Sequence, residues 1–303
     1  MYKLVLLISV LALVVNCQYY LQSPIVHRVN SANALWYAAV SDRFVGYTTE
    51  DLDNYFNAQV DTSDVPAETA AQMGIFNAPK SYDVREATGC SKYSLDQGRC
   101  GSCWAFGAIR STTDRFCQAL NDTSFPLLSP QHLVSCDWEG NMGCNGGFPA
   151  LAMKYIEFLG ITTEECYPYV SGKTQKSEKC KTKCHDGSEM KRYHLHKFST
   201  RSYRKEEDMI AALIKYGSAE VAFTVYEDFM SYKGGIYHHV QGRQLGGHAV
   251  TLIGYGEENG VKYWLCANSW GSTWGEQGTF RILRGKNECG IESNGAVGGT
   301  PKL

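Results

Sequence analysis

Past residue 15 the 303-residue chain has no apolar run long enough to cross a bilayer, and neither sign of charge is in excess: 29 lysines and arginines stand against 31 aspartates and glutamates, a formal net of −2. The first absence excludes a later membrane-spanning helix, which needs about 20 apolar residues. The second leaves no electrostatic footprint for a nucleic-acid partner. Metal-ligand spacing is missing as well. The pair His238-His239 has no cysteine or carboxylate cluster beside it, so these read as loop or surface histidines, and neither a metal nor another cofactor is expected.

What is present at the start is a short apolar run, Leu4 to Val15, preceded by Lys3. Its twelve residues suit a signal-peptide core and are too few to span a membrane. Residues 1–17 are therefore expected to be removed, with cleavage near Cys17, and the chain to be secreted or to enter a lysosome- or vacuole-like compartment. Twelve cysteines, eleven of them after the signal, fit an oxidising compartment. Eleven is odd, so at least one thiol is left over. The sequon Asn121-Asp122-Thr123 is compatible with secretion.

Charge is uneven along the chain. Residues 18–79 hold two arginines against seven carboxylates, a net of −5, whereas residues 80–303 hold 26 basic and 24 acidic groups, a net of +2. An acidic leader ahead of a near-neutral body suggests a detachable segment. Asn30 to Phe56 places apolar residues at helical spacing, with Thr49 before Glu50 and Asp51 resembling a helix start. Residues 65–82 form a polar, proline-containing linker of the kind that proteases cut. A helix is expected at or just after Cys103, with Ala105, Ala108, Ile109 and Phe116 on one face, and a second after Pro149, closed by Gly160. The lysine-rich region 166–192 reads as a solvated, disulfide-held loop. From Ser218 onward, short β-branched and aromatic runs punctuated by glycine mean strands. A helical half followed by a strand-rich half gives an α+β chain with a cleft between them.

In "DQGRCGSCWAFGAIR" two cysteines lie three residues apart. With Cys103 at a helix N-terminus, unpaired amides and the helix dipole favour its thiolate, and Cys100 is the structural staple. A thiolate nucleophile needs a cationic partner that later protonates the leaving amine. His248, 145 residues downstream in "GGHAVTLIGYG" and read as starting a strand, is that candidate. In "ANSWG", Asn268 can fix the far ring nitrogen of the imidazole and Trp270 can shield that bond from water. Gln97, six residues before Cys103, is expected to form an oxyanion site with the Cys103 backbone N–H. One such donor is worth about 10²–10³ in rate. Gly146-Gly147 lets an extended peptide approach and pair as an added strand; a simple tight turn is the competing reading.

These motifs, with "CNGGFPA", "YWLCANSWGSTWGEQGTFRILRG", "CGIES" and a short leader carrying Trp36, resemble the papain-like cysteine peptidases, and among them the cathepsin B-like group, over essentially the whole chain. The resemblance implies a helical left domain, a β-barrel-like right domain and a cleft site between them, with residues 18–79 as an inhibitory propeptide and 80–303 as the peptidase. It also implies the pairs Cys90–Cys117, Cys100–Cys144, Cys136–Cys180 and Cys166–Cys184, leaving Cys266 and Cys289. Peptide and protein substrates are implied, and a monomer. Two departures stand out. Only thirteen residues separate Cys166 from Cys180, with no histidine among them, so the group's histidine-bearing occluding loop is expected to be missing. Asn294 stands where mammalian cathepsin B has an acidic S2 floor, so a pocket lined by Phe148, Pro149, Ala222 and Ala249 is expected to prefer apolar P2 residues. An endopeptidase made as a zymogen is the reading. A catalytically inactive binding homologue is opposed by the intact Cys103, His248, Asn268 and Gln97, and an acyl transferase or ligase would use the same residues.

Overall fold

The computed structural model describes residues 19–59 and 62–303; the expected signal segment lies outside them. Within it, nine strands are β1 (Trp36–Ala38), β2 (Tyr82–Asp83), β3 (Arg201–Tyr203), β4 (Ala219–Tyr226), β5 (Tyr232–Tyr237), β6 (Gln244–Glu258), β7 (Val261–Ala267), β8 (Thr279–Leu283) and β9 (Ala296–Gly298). Their path is β1-β5-β8-β7-β6-β4-β9-β3, an open sheet with β2 also on β6. Only β5 and β8 pair in parallel among the described strands. Six of these, β4 to β9, lie after Ser218, where a strand-rich half is expected, whereas β1, β2 and β3 come from earlier in the chain.

Helices gather ahead of it. Cys103–Leu120 is the central one, packed on β6 and β4 as well as on the helices Pro130–Cys136 and Pro149–Phe158. Every side chain of the central helix from Cys103 to Cys117 is buried, so it has no solvent face. The expected single apolar stripe was too narrow, because this helix is covered by helices on one side and by the sheet on the other. Polar residues on it are accordingly paired: Arg110 donates to the Ser91 carbonyl at 2.8 Å, and Arg115 to the Ser218 carbonyl at 2.7 Å. The helix ends at Asn121 in the left-handed region, φ +50°.

The leading segment differs in detail from the expectation of one helical piece. A helix runs from Gln22 to Ser31, while Trp36–Ala38 is an edge strand paired antiparallel with β5. A second helix, Thr49–Tyr55, starts at Thr49 as expected and is capped by Thr48. The Thr48 hydroxyl accepts from the Asp51 amide at 3.1 Å, and the Asp51 carboxylate accepts from the Thr48 amide at 2.8 Å. The linker packs at its beginning, where Val65 and Met73 are buried, and is exposed from Phe76 to Ser81.

All four implied disulfides form: Cys90–Cys117, Cys100–Cys144, Cys136–Cys180 and Cys166–Cys184. Cys103, Cys266 and Cys289 are free. Region 166–192 is less solvated than its lysines suggest, for Tyr167 and Ser171 are buried and Ser171–Thr174 is a short helix.

Candidate active site

Cys103 is the first residue of the central helix, as expected, and its side chain is fully buried. It shares a small cluster with Ala222, Ala249 and Ala58. Ala222 and Ala249 are register partners on β4 and β6, which puts His248 next to the thiol's pocket. His248 lies inside β6 rather than at its start, because the strand begins four residues earlier, at Gln244.

Asn268 follows β7, and its Oδ1 lies 2.8 Å from His248 Nε2. The same oxygen accepts from the Ser269 amide at 2.8 Å, which fixes the carboxamide. Trp270 stacks on the imidazole, centroids 4.8 Å apart and planes 27° from parallel. His248 Nδ1 is left buried without a hydrogen-bond partner. Gln97 is also fully buried. Its Nε2 donates to the Cys100 carbonyl at 2.9 Å, and its Oε1 accepts from the Ser269 hydroxyl at 2.6 Å. One N–H of its amide remains beyond that bond. Ser269 thus holds the expected oxyanion donor and the Asn268 carboxamide together, a role that no feature of a serine in "ANSWG" signals in the sequence.

The leading segment crosses this site. Phe44 meets Trp270 edge-on at 4.9 Å, and Phe56 meets His248 at 5.7 Å. The chain from Asn57 to Gln59 then pairs in parallel with Gly247 and Gly147 on its two sides. The Ala58 amide donates to the Gly247 carbonyl at 3.1 Å and the Gln59 amide to the Gly147 carbonyl at 2.8 Å. A Cβ on Gly146, whose φ is +103°, would lie 2.1 Å from the Asn57 carbonyl oxygen. The glycine pair is therefore a strand-docking edge, not just a turn. Trp104 supports it from below: its Nε1 donates to the Gly143 carbonyl at 3.0 Å, and its ring lies where a Gly147 side chain would be.

Burial reverses the expected electrostatics. The Cys103 thiol is pushed up to about 12 by desolvation, against hydrogen bonds from the backbone of Ala249, Trp104 and Cys103 itself. Burial likewise pushes His248 down to about 4, although Asn268 opposes it. Beneath the leading segment, desolvation outweighs the helix terminus and both groups are held neutral.

Ion pairs between the leader and the body are few among the described residues. Among the described residues, Asp53 is the one leader carboxylate in an ion pair with a body cation, Arg243, at 2.7 Å. Asp51 is used in its own helix cap. A further link runs the other way: Arg43 reaches Asp96 at 2.7 Å and the Gly98 carbonyl at 2.6 Å, on either side of Gln97.

Phe148 is half-buried and Pro149 buried where the helical side continues from Gly147. Half-buried Asn294 donates through Nδ2 to the Ala222 carbonyl at 3.2 Å. His239 lies 3.2 Å from buried Asp228 and stacks on Tyr226.

Comparison with known proteins gives the family. The family described as "Papain family cysteine protease" matches residues 78–298. "Cathepsin B-like CP3" of Giardia intestinalis is 42% identical over 90% of this chain and 92% of its own. "Cathepsin B-like protease 1" of Arabidopsis thaliana is 36% identical over 93% of this chain and 84% of its own. Among solved structures, "proCathepsin B S9 from Trypanosoma congolense" superposes with a TM-score of 0.85 at 32% identity, covering 93% of this chain and 99% of that one. The chain belongs to the papain family of cysteine proteases, alongside its cathepsin B-like members, and is a protease acting on peptide substrates.

Proposed function

We propose that the protein is a cysteine endopeptidase made as a zymogen, with residues 1–17 as signal, 18–79 as inhibitory propeptide and 80–303 as a monomeric peptidase. Once the cleft opens, the Cys103 thiolate attacks the scissile carbonyl. The oxyanion is held by the free Gln97 N–H and the Cys103 backbone N–H. His248 Nδ1 gives its proton to the leaving amine, which departs and leaves a thioester on Cys103. His248 then takes a proton from water, whose hydroxide attacks the thioester; the acid product leaves and the thiolate returns. Asn268 keeps the imidazole in register throughout. Gly147 would hold the substrate backbone, with Gly146, Phe148, Pro149, Ala222, Ala249 and Asn294 shaping the pocket beside it.

One observation carries the reading. Asn57 to Gln59 occupies the cleft as an added strand with Ala58 on Cys103, the place a peptide substrate needs. The four disulfides and the apolar start support a secreted or lysosome-like location. No helix among the described residues is long and apolar enough to cross a membrane.

After leader removal by an added aspartic protease in acid, a peptidyl electrophile should label Cys103 far faster than Cys266 or Cys289. Cys103→Ala should lose peptide hydrolysis while melting at the parent temperature. Substantial turnover by that variant would overturn the reading.

A further inference from the structure

Gln97 and Cys103 are separated by a turn with Gly98 and Gly101 in it, and Gly98 sits at φ +59°. Such a turn is flexible on its own, yet oxyanion stabilisation requires the Gln97 amide and the start of the central helix to keep one fixed spacing. The Cys100–Cys144 disulfide holds the middle. Both ends are held by one atom from elsewhere in the chain. The Tyr169 hydroxyl donates to the Gln97 carbonyl at 2.8 Å and lies 2.8 Å from the Ser102 hydroxyl, on the residue just before Cys103.

Tyr169 is itself immobilised. Its ring meets Phe106, on the central helix, edge-on at 4.8 Å and 90°. Its amide donates to Glu164 Oε1 at 2.7 Å. The amides of Val170 and Ser171 both donate to Gln131 Oε1, at 2.8 and 3.0 Å. Three residues on, Gly172 touches the turn directly. It accepts from the Arg99 amide at 2.9 Å, and a Cβ on Gly98 would lie 2.5 Å from its Cα. The segment after Cys166 is thus packed behind the Gln97–Ser102 turn.

We propose that Tyr169 is a positioning residue for the cysteine reaction, whose hydroxyl locks the Gln97 carbonyl to Ser102 so that the oxyanion donors and the nucleophile form one rigid frame. The inference rests on the function proposed above. Tyr169 touches no substrate; it acts through Gln97 and Ser102. The same segment lies where the cathepsin B-like group was expected to carry a loop over the cleft, and here it serves as a brace behind it.

Tyr169→Phe keeps the ring on Phe106 and removes only the hydroxyl. Full-length chains, with the leader cut by the same added aspartic protease, give the comparison. For a peptide amide, kcat should fall about tenfold with KM unchanged, a fraction of the 10²–10³ lost with a whole oxyanion donor. Affinity for a peptide aldehyde, whose adduct places an oxyanion in the site, should fall by the same factor. Alkylation of Cys103 by iodoacetamide, which needs no oxyanion site, should stay within about twofold, well below that tenfold effect. Ser102→Ala removes the other partner of the hydroxyl and should give the same pattern, with the double variant no worse than Tyr169→Phe alone. The proposal is overturned if both single variants keep parental kcat, if the loss is in KM, or if alkylation slows as much as hydrolysis. Turnover by Cys103→Ala in the same assay would instead overturn the function on which it rests.

Discussion

Ala58 packs on Cys103, and it does so because Gly146 lets the backbone of Asn57 approach to a distance no side chain would allow. An alanine at 146 would meet the Asn57 carbonyl oxygen at 2.1 Å and the Asn57 Cβ at 2.8 Å. It would also have to adopt φ +103°, which costs more than about 1 kcal/mol for a residue with a Cβ. Gly146→Ala should therefore loosen the leader in the full-length chain. Iodoacetamide labelling of Cys103 at neutral pH should accelerate at least tenfold, a loss of about 1.4 kcal/mol in leader seating. Unchanged labelling in a folded variant would mean that the close approach does not hold the cleft shut.

Chemistry was more legible in the sequence than packing. Cys103, His248, Asn268 and Gln97 could be read because each carries a reactive or polar group that needs a partner, and such partners recur in order along the chain. Gly146-Gly147 could be read because the absence of a Cβ is itself a signal. Trp36–Ala38 could not, for its strand exists only through β5, about 200 residues away. Ala58 has no feature separating it from any other alanine, though it covers the thiol. Tyr169 sat in a segment without periodicity, and its importance lies in two tertiary hydrogen bonds. The neutral state of Cys103 was hidden for the same reason: a helix terminus is visible in sequence, whereas the burial that overrides it comes from tertiary packing, with Ala222 and Ala249 of the body and Ala58 of the leader around the thiol.

Asn294 bears on substrate choice. Its amide is neutral and already donates to the Ala222 carbonyl. An arginine side chain in the pocket beside Ala222 would meet no countercharge from this residue, and an unpaired buried cation is costly. Matched substrates with Val or Leu at P2 should have kcat/KM at least tenfold above the Arg substrate. Asn294→Glu should narrow that gap by raising the Arg rate. A parental preference for Arg would refute this assignment of the pocket floor.

The segment from Cys166 to Cys180 bears on the mode of cleavage. It has no histidine, and its Tyr169 and Gly172 are spent on the Gln97–Ser102 turn. Its lysines, Lys173, Lys176 and Lys179, are exposed, and none is expected to grip a terminal carboxylate as the group's histidine pair would. Peptides ending in a free carboxylate and in an amide should be cut at similar internal bonds with similar kcat/KM. Strong preference for the free acid, with dipeptides released from the C-terminus, would show that another group supplies the grip.

Acid response follows from the covered pair. With the leader seated, His248 is pushed down to about 4, below the ordinary histidine value of about 6.5. A base depressed in the closed state favours closure above its ordinary value, and that contribution is lost as pH falls toward the depressed one. Cys103, pushed up to about 12, complicates this in the intact site. On opening, its proton can pass to His248, so the pair carries the same number of protons in both states and the window between about 4 and 6.5 stays comparatively flat. Removing the thiol exposes the histidine effect. In full-length Cys103→Ala, leader opening should rise steeply between about pH 6.5 and 4, by up to about a hundredfold. The Ala58 and Gln59 amides, which donate to Gly247 and Gly147, report it through their hydrogen-exchange protection relative to intrinsic rates. Adding His248→Gln should abolish the rise. Equal acid opening with and without the histidine would assign the trigger to groups other than His248.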